Sequence, residues 1–412
     1  MSSFQKKIIQ LSLVITLGVG GYFFYQGKAE EAKQQLKLDA LSFVRDSVTQ
    51  QVVSENHFPT SIKYNDLDIG VTYTLDDFFQ REVESLIKRY ANDYTAVVIM
   101  DNDSGEILAS AGVQRKGREI SYGLPFTSTH PSASLFKIIT SAELLSQNKI
   151  DPSTKLNFRG RGTTLYKYQL KDKISRWTRW ISFKKAFAHS NNVIFGKAAI
   201  EKTSPQSMFK TAFAFGFNRQ LMKDFNLGPS RFIMAESEYQ LAELASGFNK
   251  KTLISPVHAA LLSSVIANGG IYHSPKIIKN TSLEGEKIFF PGVEEKVLDK
   301  SSVSDLTKMM ELTVQRGTAR RISRGRLGQK LKEKLIMGAK TGSITGGIPF
   351  GKRDWLTLFA KPRDGQSSGI SIAVMNINGK KWYHKSTFLM KKLLKLYLEK
   401  LEEEEKDKSL QS

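Results

Sequence analysis

Lys6 and Lys7 precede an uncharged, mostly apolar run over 8–27 (IIQLSLVITLGVGGYFFYQG). At about 1.5 Å per residue such a run spans about 30 Å, the depth of a hydrocarbon core, so it predicts a transmembrane signal-anchor. The aromatic cluster Tyr22, Phe23, Phe24 and Tyr25 suits the far interface, and the lysines point residues 1–7 to the cytoplasm. A cleaved signal peptide, with Gly27-Lys28-Ala29 as a small-x-small cleavage site, is the alternative. Residues 28–69 are polar and mixed in charge and read as a short stalk, helical over 30–45 and with a packed strand near 50–53. From Val71 the texture changes. Asp76 and Asp77 can cap a helix whose apolar positions Phe78, Phe79, Val83, Leu86 and Ile87 keep a spacing of three to four. A β-rich run over 95–100, a turn at 101–105 and a second run over 106–110 predict a hairpin. Apolar spacing then predicts helices over 135–145, 183–200, 256–267 and 306–314, the third stopped by Asn268, Gly269 and Gly270. Strands follow over 335–340, 355–359 and 370–375, then a helix over 388–401 and a frayed charged tail within 397–412. No repeat or linker divides 70–396. The pattern is α/β (α+β): an antiparallel sheet built from both ends of the chain and flanked by helices, with an inserted all-helical subdomain over about 131–300.

Composition changes the picture at two points. The chain has 412 residues with 40% hydrophobic and 25% charged, ordinary for a globular protein, but its net charge is +21. That surplus implies contact with polyanions: nucleic acid, anionic lipid or acidic wall polymer. Export past residue 28 removes nucleic acid from that set. Cysteine is absent, which excludes disulfides, thiolate zinc sites and a lipidated N-terminal cysteine. Two stretches carry much of the charge. One runs over 159–185, interleaved with Tyr166, Tyr168, Trp177 and Trp180; the other runs from Arg316 through Arg320, Arg321, Arg324 and Arg326 to Lys334. Both read as solvated faces, with contact to anionic lipid or wall polymer the sharper alternative.

Candidate chemistry lies in three short motifs, in order: Ser134-Leu135-Phe136-Lys137, Ser190-Asn191-Asn192 and Lys340-Thr341-Gly342-Ser343. Ser-x-x-Lys occurs at five other places, so the first carries little weight alone, whereas Lys-Thr-Gly occurs once. Ser134 opens a predicted helix and Lys137 follows one turn on, which sets an amine beside a hydroxyl at a helix N-terminus. A serine needs a base to become a nucleophile, and lysine serves only if burial or a neighbouring cation pulls its pKa down. Leu135, Phe136, Ile138 and Ile139 supply the apolar setting, and Lys340 the second cation. Ser190 can relay a proton and the Asn192 amide can hold a substrate carbonyl. Lys340 and Thr341 can hold a carboxylate, Gly342 permits close approach to the backbone, and the Ser343 and Ser134 amides can form an oxyanion hole. Taken singly, Ser134 and Ser190 read rather as helix caps and Lys340 to Ser343 as a polar strand end; the order and spacing of all three carry the weight. Gly346 to Lys352 nearly spells a phosphate-binding loop, but Arg353 stands where Ser or Thr would bind magnesium. His130 and His189, close in sequence to the motifs, are expected to have structural or surface roles. No metal or cofactor is expected.

Here the chain resembles the transpeptidase domain of penicillin-binding proteins, within the serine β-lactamase-like superfamily. The likeness covers about 70–396. It includes Val71 to Asp76 with Gln80, Asp103 to Ala109, Leu253 to Pro256 with Ala267 to Gly270 and Pro275, Gly317 to Arg320, and Asp354-Trp355. The resemblance implies Ser134 as the acylated nucleophile and Lys137 as its base. Ser190 would pass the proton to the leaving amine, and Asn192 would bind the substrate amide. Lys340 and Thr341 would bind the terminal carboxylate, with the Ser134 and Ser343 amides as oxyanion donors. It implies D,D-transpeptidase or carboxypeptidase action on peptidoglycan stem peptides, β-lactams as inhibitors, other cell-wall synthesis proteins as partners, and an extracytoplasmic domain tethered to a bacterial plasma membrane. Two departures stand out. Pro131-Ser132-Ala133-Ser134 carries one residue more than the usual lead-in, and the region between anchor and domain is too short for a glycosyltransferase domain or a large pedestal. A serine β-lactamase, for which Glu236 and Glu238 lie between the second and third motifs but nothing marks either to position water, and an idle scaffold or β-lactam sensor are the alternatives.

Overall fold

The structure, a computed structural model, describes the backbone of residues 3–411 and the side chains of 26–28, 30–407, 409 and 410. A helix runs Ser3–Ser54. The side chains over 8–25, on which the transmembrane expectation rests, lie outside the described residues. Among the described residues no helix is long and apolar enough to cross a membrane.

The centre is a six-stranded antiparallel sheet in the order Leu335–Gly346, Gly351–Pro362, Ile370–Asn378, Tyr94–Asp101, Ile107–Gln114, Ile120–Ser121. Strands from the two ends of the chain meet where Val97 pairs with Val374. Side chains alternate between the faces of a strand, and here both faces are covered. Ala96, Val98 and Met100 point into one core with helix Pro256–Ala267, every residue of which is buried. Val97 and Ile99 point into a second core with helices Asp77–Arg89 and Ser386–Gln411. Burial on both sides explains why the run over 95–100 is continuously apolar rather than alternating. Helix Asp77–Arg89 starts as its sequence predicts, the Asp76 carboxylate accepting the Phe79 N–H at 2.9 Å.

Three expectations need correction. Residues 28–69 are not a bare stalk. The first helix continues through 50–53, where a strand was expected, and its residues Ala40, Val44, Val48 and Val52 recur every four positions and are buried in the main core. Strands Ser61–Tyr64 and Leu67–Tyr73 then join Ile278–Leu283 and Glu286–Ile288 in a separate four-stranded sheet. The insert over 131–300 is accordingly not all-helical; it also holds the hairpin Lys155–Phe158/Arg179–Ser182 and the pair Ile271–His273/Glu294–Lys296. Finally, the charged tail is helical through Gln411, where Glu402 pairs with Lys330 at 2.7 Å and Glu405 with Lys334 at 3.5 Å.

Candidate active site

The expected helix over 135–145 begins as a tight 3-10 turn, Ala133–Phe136, and continues as helix Lys137–Ser146. The turn brings Lys137 Nζ to 3.0 Å from Ser134 Oγ. Ala133 takes up the extra residue of the lead-in with a left-handed φ of 50°, a conformation that costs an L-residue energy and persists only where its surroundings hold it. Those surroundings are close. The Trp355 Nε1–H donates to the Pro131 carbonyl at 2.9 Å, and a Cβ on Gly247 would sit 1.9 Å from the Ala133 carbonyl oxygen. Gly342 on the neighbouring strand passes so near that its Cβ would lie 3.3 Å from the Ser134 nitrogen. Glycine at 247 and 342 is what lets helix end and strand close on the serine turn.

The expected helix over 183–200 is two helices, Phe183–Ala188 and Asn192–Lys202, and Ser190 sits at the break with φ 56°. The break turns the Ser190 hydroxyl towards Lys340, whose Nζ donates to Ser190 Oγ at 3.0 Å and to the Thr341 carbonyl at 2.8 Å. Asn192 faces the other lysine: its Oδ1 accepts from Lys137 Nζ at 2.7 Å, while its Nδ2 donates to the Thr163 carbonyl at 2.9 Å, which fixes the amide orientation. Lys137 also donates to the Ser246 carbonyl. The hydrogen bonds thus form two groups, Ser134–Lys137–Asn192 and Ser190–Lys340–Thr341, near enough for the charge of Lys340 to act on Lys137, with Gly342 against the serine turn and Ser343 next along the strand, exposed.

Both lysines are fully buried. Burial, and after it the positive charge of Lys340, holds the Lys137 amine well below its ordinary range. Burial brings Lys340 down to about 7. Two of the three Lys137 contacts, Asn192 Oδ1 and the Ser246 carbonyl, have no hydrogen to give. A neutral amine satisfies them with its two N–H groups and leaves its lone pair facing the Ser134 hydroxyl. That is the geometry for taking the proton of a nucleophile.

Sequence reasoning missed four contributors. The carbonyls of Ser246 and Thr163 act through the backbone, which carries no residue signature. Gly247 could have been flagged only as a helix stop. Thr318 meets Thr341 hydroxyl to hydroxyl at 2.6 Å, placed there because Gly317 packs on the Ala188 carbonyl. His130 is buried, its imidazole lowered to about 3 by burial and then by Arg353, whose guanidinium reaches its Nδ1 at 3.1 Å. Arg353 itself donates to the carbonyls of Gly346, Pro349 and Gly351 and ties down the hairpin tip. His189 is exposed. Glu236 and Glu238 are exposed as well, Glu238 in the first turn of helix Glu238–Ser246. Among the described residues no group of three His, Asp or Glu side chains is placed to hold a metal ion.

A two-sided antiparallel sheet carrying Lys340, apposed to a helical region carrying Ser134 and Ser190, defines a class of acyl-transfer domain. The penicillin-binding protein transpeptidase domain family matches residues 95–383, and the chain belongs to it. Penicillin-binding protein 2A of Bacillus subtilis (strain 168) is 25% identical over 353 residues, 78% of this chain and 48% of that one; the chain thus spans about half the length of that relative. Among solved structures, penicillin-binding protein 3 of Mycobacterium tuberculosis in its apo form superposes with a TM-score of 0.68 at 17% identity, over 86% of this chain and 89% of that one. Its ampicillin complex gives 0.67 at 17%, over 83% and 81%. The D,D-transpeptidase domain of a peptidoglycan glycosyltransferase from Eggerthella lenta gives 0.62 at 20%, over 80% and 82%. At these identities the structures establish a shared fold.

Proposed function

We propose that the protein is a membrane-tethered, extracytoplasmic serine D,D-acyltransferase that acts on peptidoglycan stem peptides through a Ser134 acyl-enzyme. The observation that carries the reading is the three-way bonding of buried Lys137 to Ser134 Oγ, Asn192 Oδ1 and the Ser246 carbonyl. In the proposed reaction Ser134 Oγ attacks the carbonyl carbon of the terminal D-Ala-D-Ala amide and its proton passes to Lys137 Nζ. The Ser134 and Ser343 amides face the oxyanion. Ser190 Oγ–H gives its proton to the leaving amine nitrogen and is reprotonated from the Lys340 side as the C–N bond breaks. An acceptor amine then attacks the ester carbonyl and yields a proton to the Ser190–Lys340 pair, Ser134 leaves with the proton held on Lys137 as the C–O bond breaks, and cross-linking is complete; water in its place would complete trimming. The Thr341 and Thr318 hydroxyls, with the buried Lys340 amine bonded to the Thr341 carbonyl, form the polar group that suits the terminal carboxylate of the donor.

The test is intact-mass analysis of the detergent-solubilised chain mixed with benzylpenicillin, alongside Ser134→Ala. A long-lived adduct of one drug mass that disappears in Ser134→Ala supports the proposal. An adduct that forms and clears with drug hydrolysis identifies a β-lactamase instead, and no adduct with any β-lactam sinks the enzymatic reading.

A further inference from the structure

The segment over 159–178, which joins the two strands of the hairpin Lys155–Phe158/Arg179–Ser182, is both a wall of the site and an unusual surface. Its backbone carries Asn192: the Gly162 carbonyl accepts the Asn192 backbone N–H at 2.6 Å, and the Thr163 carbonyl accepts the side-chain amide at 2.9 Å. A few residues further on it presents aromatic faces to solvent. Tyr166 and Tyr168 lie nearly parallel, 10° apart with centroids at 5.8 Å, and remain more than half exposed; Trp177 is 70% exposed and Trp180 51%. Between 155 and 185 the chain has ten Lys or Arg and one acidic residue, Asp172, which is taken by Lys197 from outside the stretch at 2.9 Å. Arg176 lies over the Trp177 ring at 4.9 Å. The positive charge of this surface is therefore uncompensated within the segment.

We infer that this surface is a binding rim for the glycan strand that bears the stem peptides, a polysaccharide carrying free carboxylates; the inference rests on the function proposed above. Flat, solvent-facing aromatic rings offer apolar platforms to the C–H faces of pyranose rings, and the cations between them meet the carboxylates of stem peptides on the same strand. Continuity with the cleft favours this occupant over an anionic bilayer. Tyr166 and Tyr168 lie on the same segment as the carbonyls that hold Asn192, so a ligand along this surface is continuous with that wall of the site, as a strand whose own stem peptide must reach Ser134 would be. A strand threaded along the rim delivers its own stem peptide to Ser134. The rim thereby raises the local concentration of a substrate that is otherwise part of an insoluble network.

The experiment uses the full chain in detergent micelles and purified sacculi stripped of accessory anionic polymers. Cosedimentation is compared for wild type, the triple variant Lys173→Glu/Arg176→Glu/Trp177→Ala, and Trp177→Ala alone, whose side chain lies in an exposed loop. The expected result is binding to sacculi weakened about tenfold in the triple variant and by a smaller factor in Trp177→Ala, with benzylpenicillin acylation of Ser134 at the wild-type rate. Soluble peptide-bearing glycan fragments should displace the wild-type protein, and phosphatidylglycerol-doped micelles should not. Undiminished binding in both variants overturns the inference, and displacement by the anionic micelles but not by glycan overturns it in favour of a bilayer. The acylation readout keeps the two ideas apart. Failure of wild type to acylate would count against the proposed function, whereas wild-type acylation with unchanged sacculus binding in the variants counts against the rim alone.

Discussion

Gly247 offers a direct test of whether the serine turn is held by its surroundings. It ends helix Glu238–Ser246 with φ +66°, and a Cβ there would lie 1.9 Å from the Ala133 carbonyl oxygen and 3.0 Å from the Ser134 nitrogen. Both contacts are to backbone, so no side chain can swing aside. In Gly247→Ala the Ala133–Ser134 turn must retreat by about 1 Å, and a displacement of that size at reacting atoms costs about 100-fold in rate. The left-handed φ adds its own strain of about 1–2 kcal/mol for any L-residue. Gly269 separates the two effects, because it has φ +68° and nothing within 4 Å of its would-be Cβ. Gly269→Ala should therefore lose the same 1–2 kcal/mol of stability, about a few degrees in Tm, and acylate at close to the wild-type rate. The assay is the second-order rate of Ser134 acylation by a fluorescent penicillin, with Tm by differential scanning fluorimetry. Expected is an acylation rate about 100-fold down for Gly247→Ala alone. A Gly247→Ala protein that acylates as fast as Gly269→Ala would refute the claim that the glycine contact positions the nucleophile.

Asn192→Asp places a carboxylate where the amide oxygen now lies 2.7 Å from Lys137 Nζ; the added negative charge favours the ammonium form, so the rising limb of the acylation pH profile should move to higher pH, and an unmoved profile would argue against Lys137 as base. Lys340 is brought from 10.5 down to about 7 in the folded chain. Between those values the unfolded chain holds the proton and the folded one does not, so stability rises with pH by up to about 1.4 kcal/mol per unit for each such group. Tm should climb from pH 7 to 9, and less steeply in Lys340→Met; equal slopes would show that Lys340 is not titrating in that window. Val44, Val48 and Val52 are fully buried, and a truncation that begins after Ser54 removes about 5 kcal/mol of apolar burial. That truncation should melt far lower than one beginning at Lys28, as read by scanning fluorimetry, with Val48→Asp in the full chain reproducing the loss.

What the sequence disclosed follows from how local each signal is. Helix Pro256–Ala267 matches its expected span because proline opens it and an Asn-Gly-Gly run closes it. Helix Asp77–Arg89 was equally plain in its cap and apolar spacing. The core-packed part of the first helix was not, because a single small or β-branched residue every fourth position is a narrow stripe in a mixed-charge sequence. Nor was the pairing of Leu67–Tyr73 with Ile278–Leu283, some two hundred residues away, where nothing local specifies the partner. The same division runs through the site. Side chains whose chemistry is their identity, Ser134, Lys137 and Lys340, stood out once their order was seen. The carbonyls of Thr163 and Ser246 did not, because any residue supplies a carbonyl.

Those two carbonyls bear on how a proton can move at all. As an ammonium, Lys137 has three N–H groups and three acceptors in place: Ser134 Oγ, Asn192 Oδ1 and the Ser246 carbonyl. As a neutral amine it keeps the last two and turns its lone pair on the serine hydroxyl. Both protonation states therefore fit one arrangement of heavy atoms, and transfer between Ser134 and Lys137 requires no repacking of a buried site. Had Asn192 presented its NH2 to Lys137, the neutral form would have been forced to spend its lone pair there. The Nδ2 bond to the Thr163 carbonyl prevents that flip. Lys340 is arranged differently, with donors to Ser190 Oγ and the Thr341 carbonyl and a pKa of about 7, so near neutral pH it is present in both forms. In the proposed reaction this asymmetry assigns the directions of proton flow: Lys137, whose amine is held well below its ordinary range by burial and then by its fellow cation, takes a proton from Ser134, and Lys340, at about 7, returns one through Ser190.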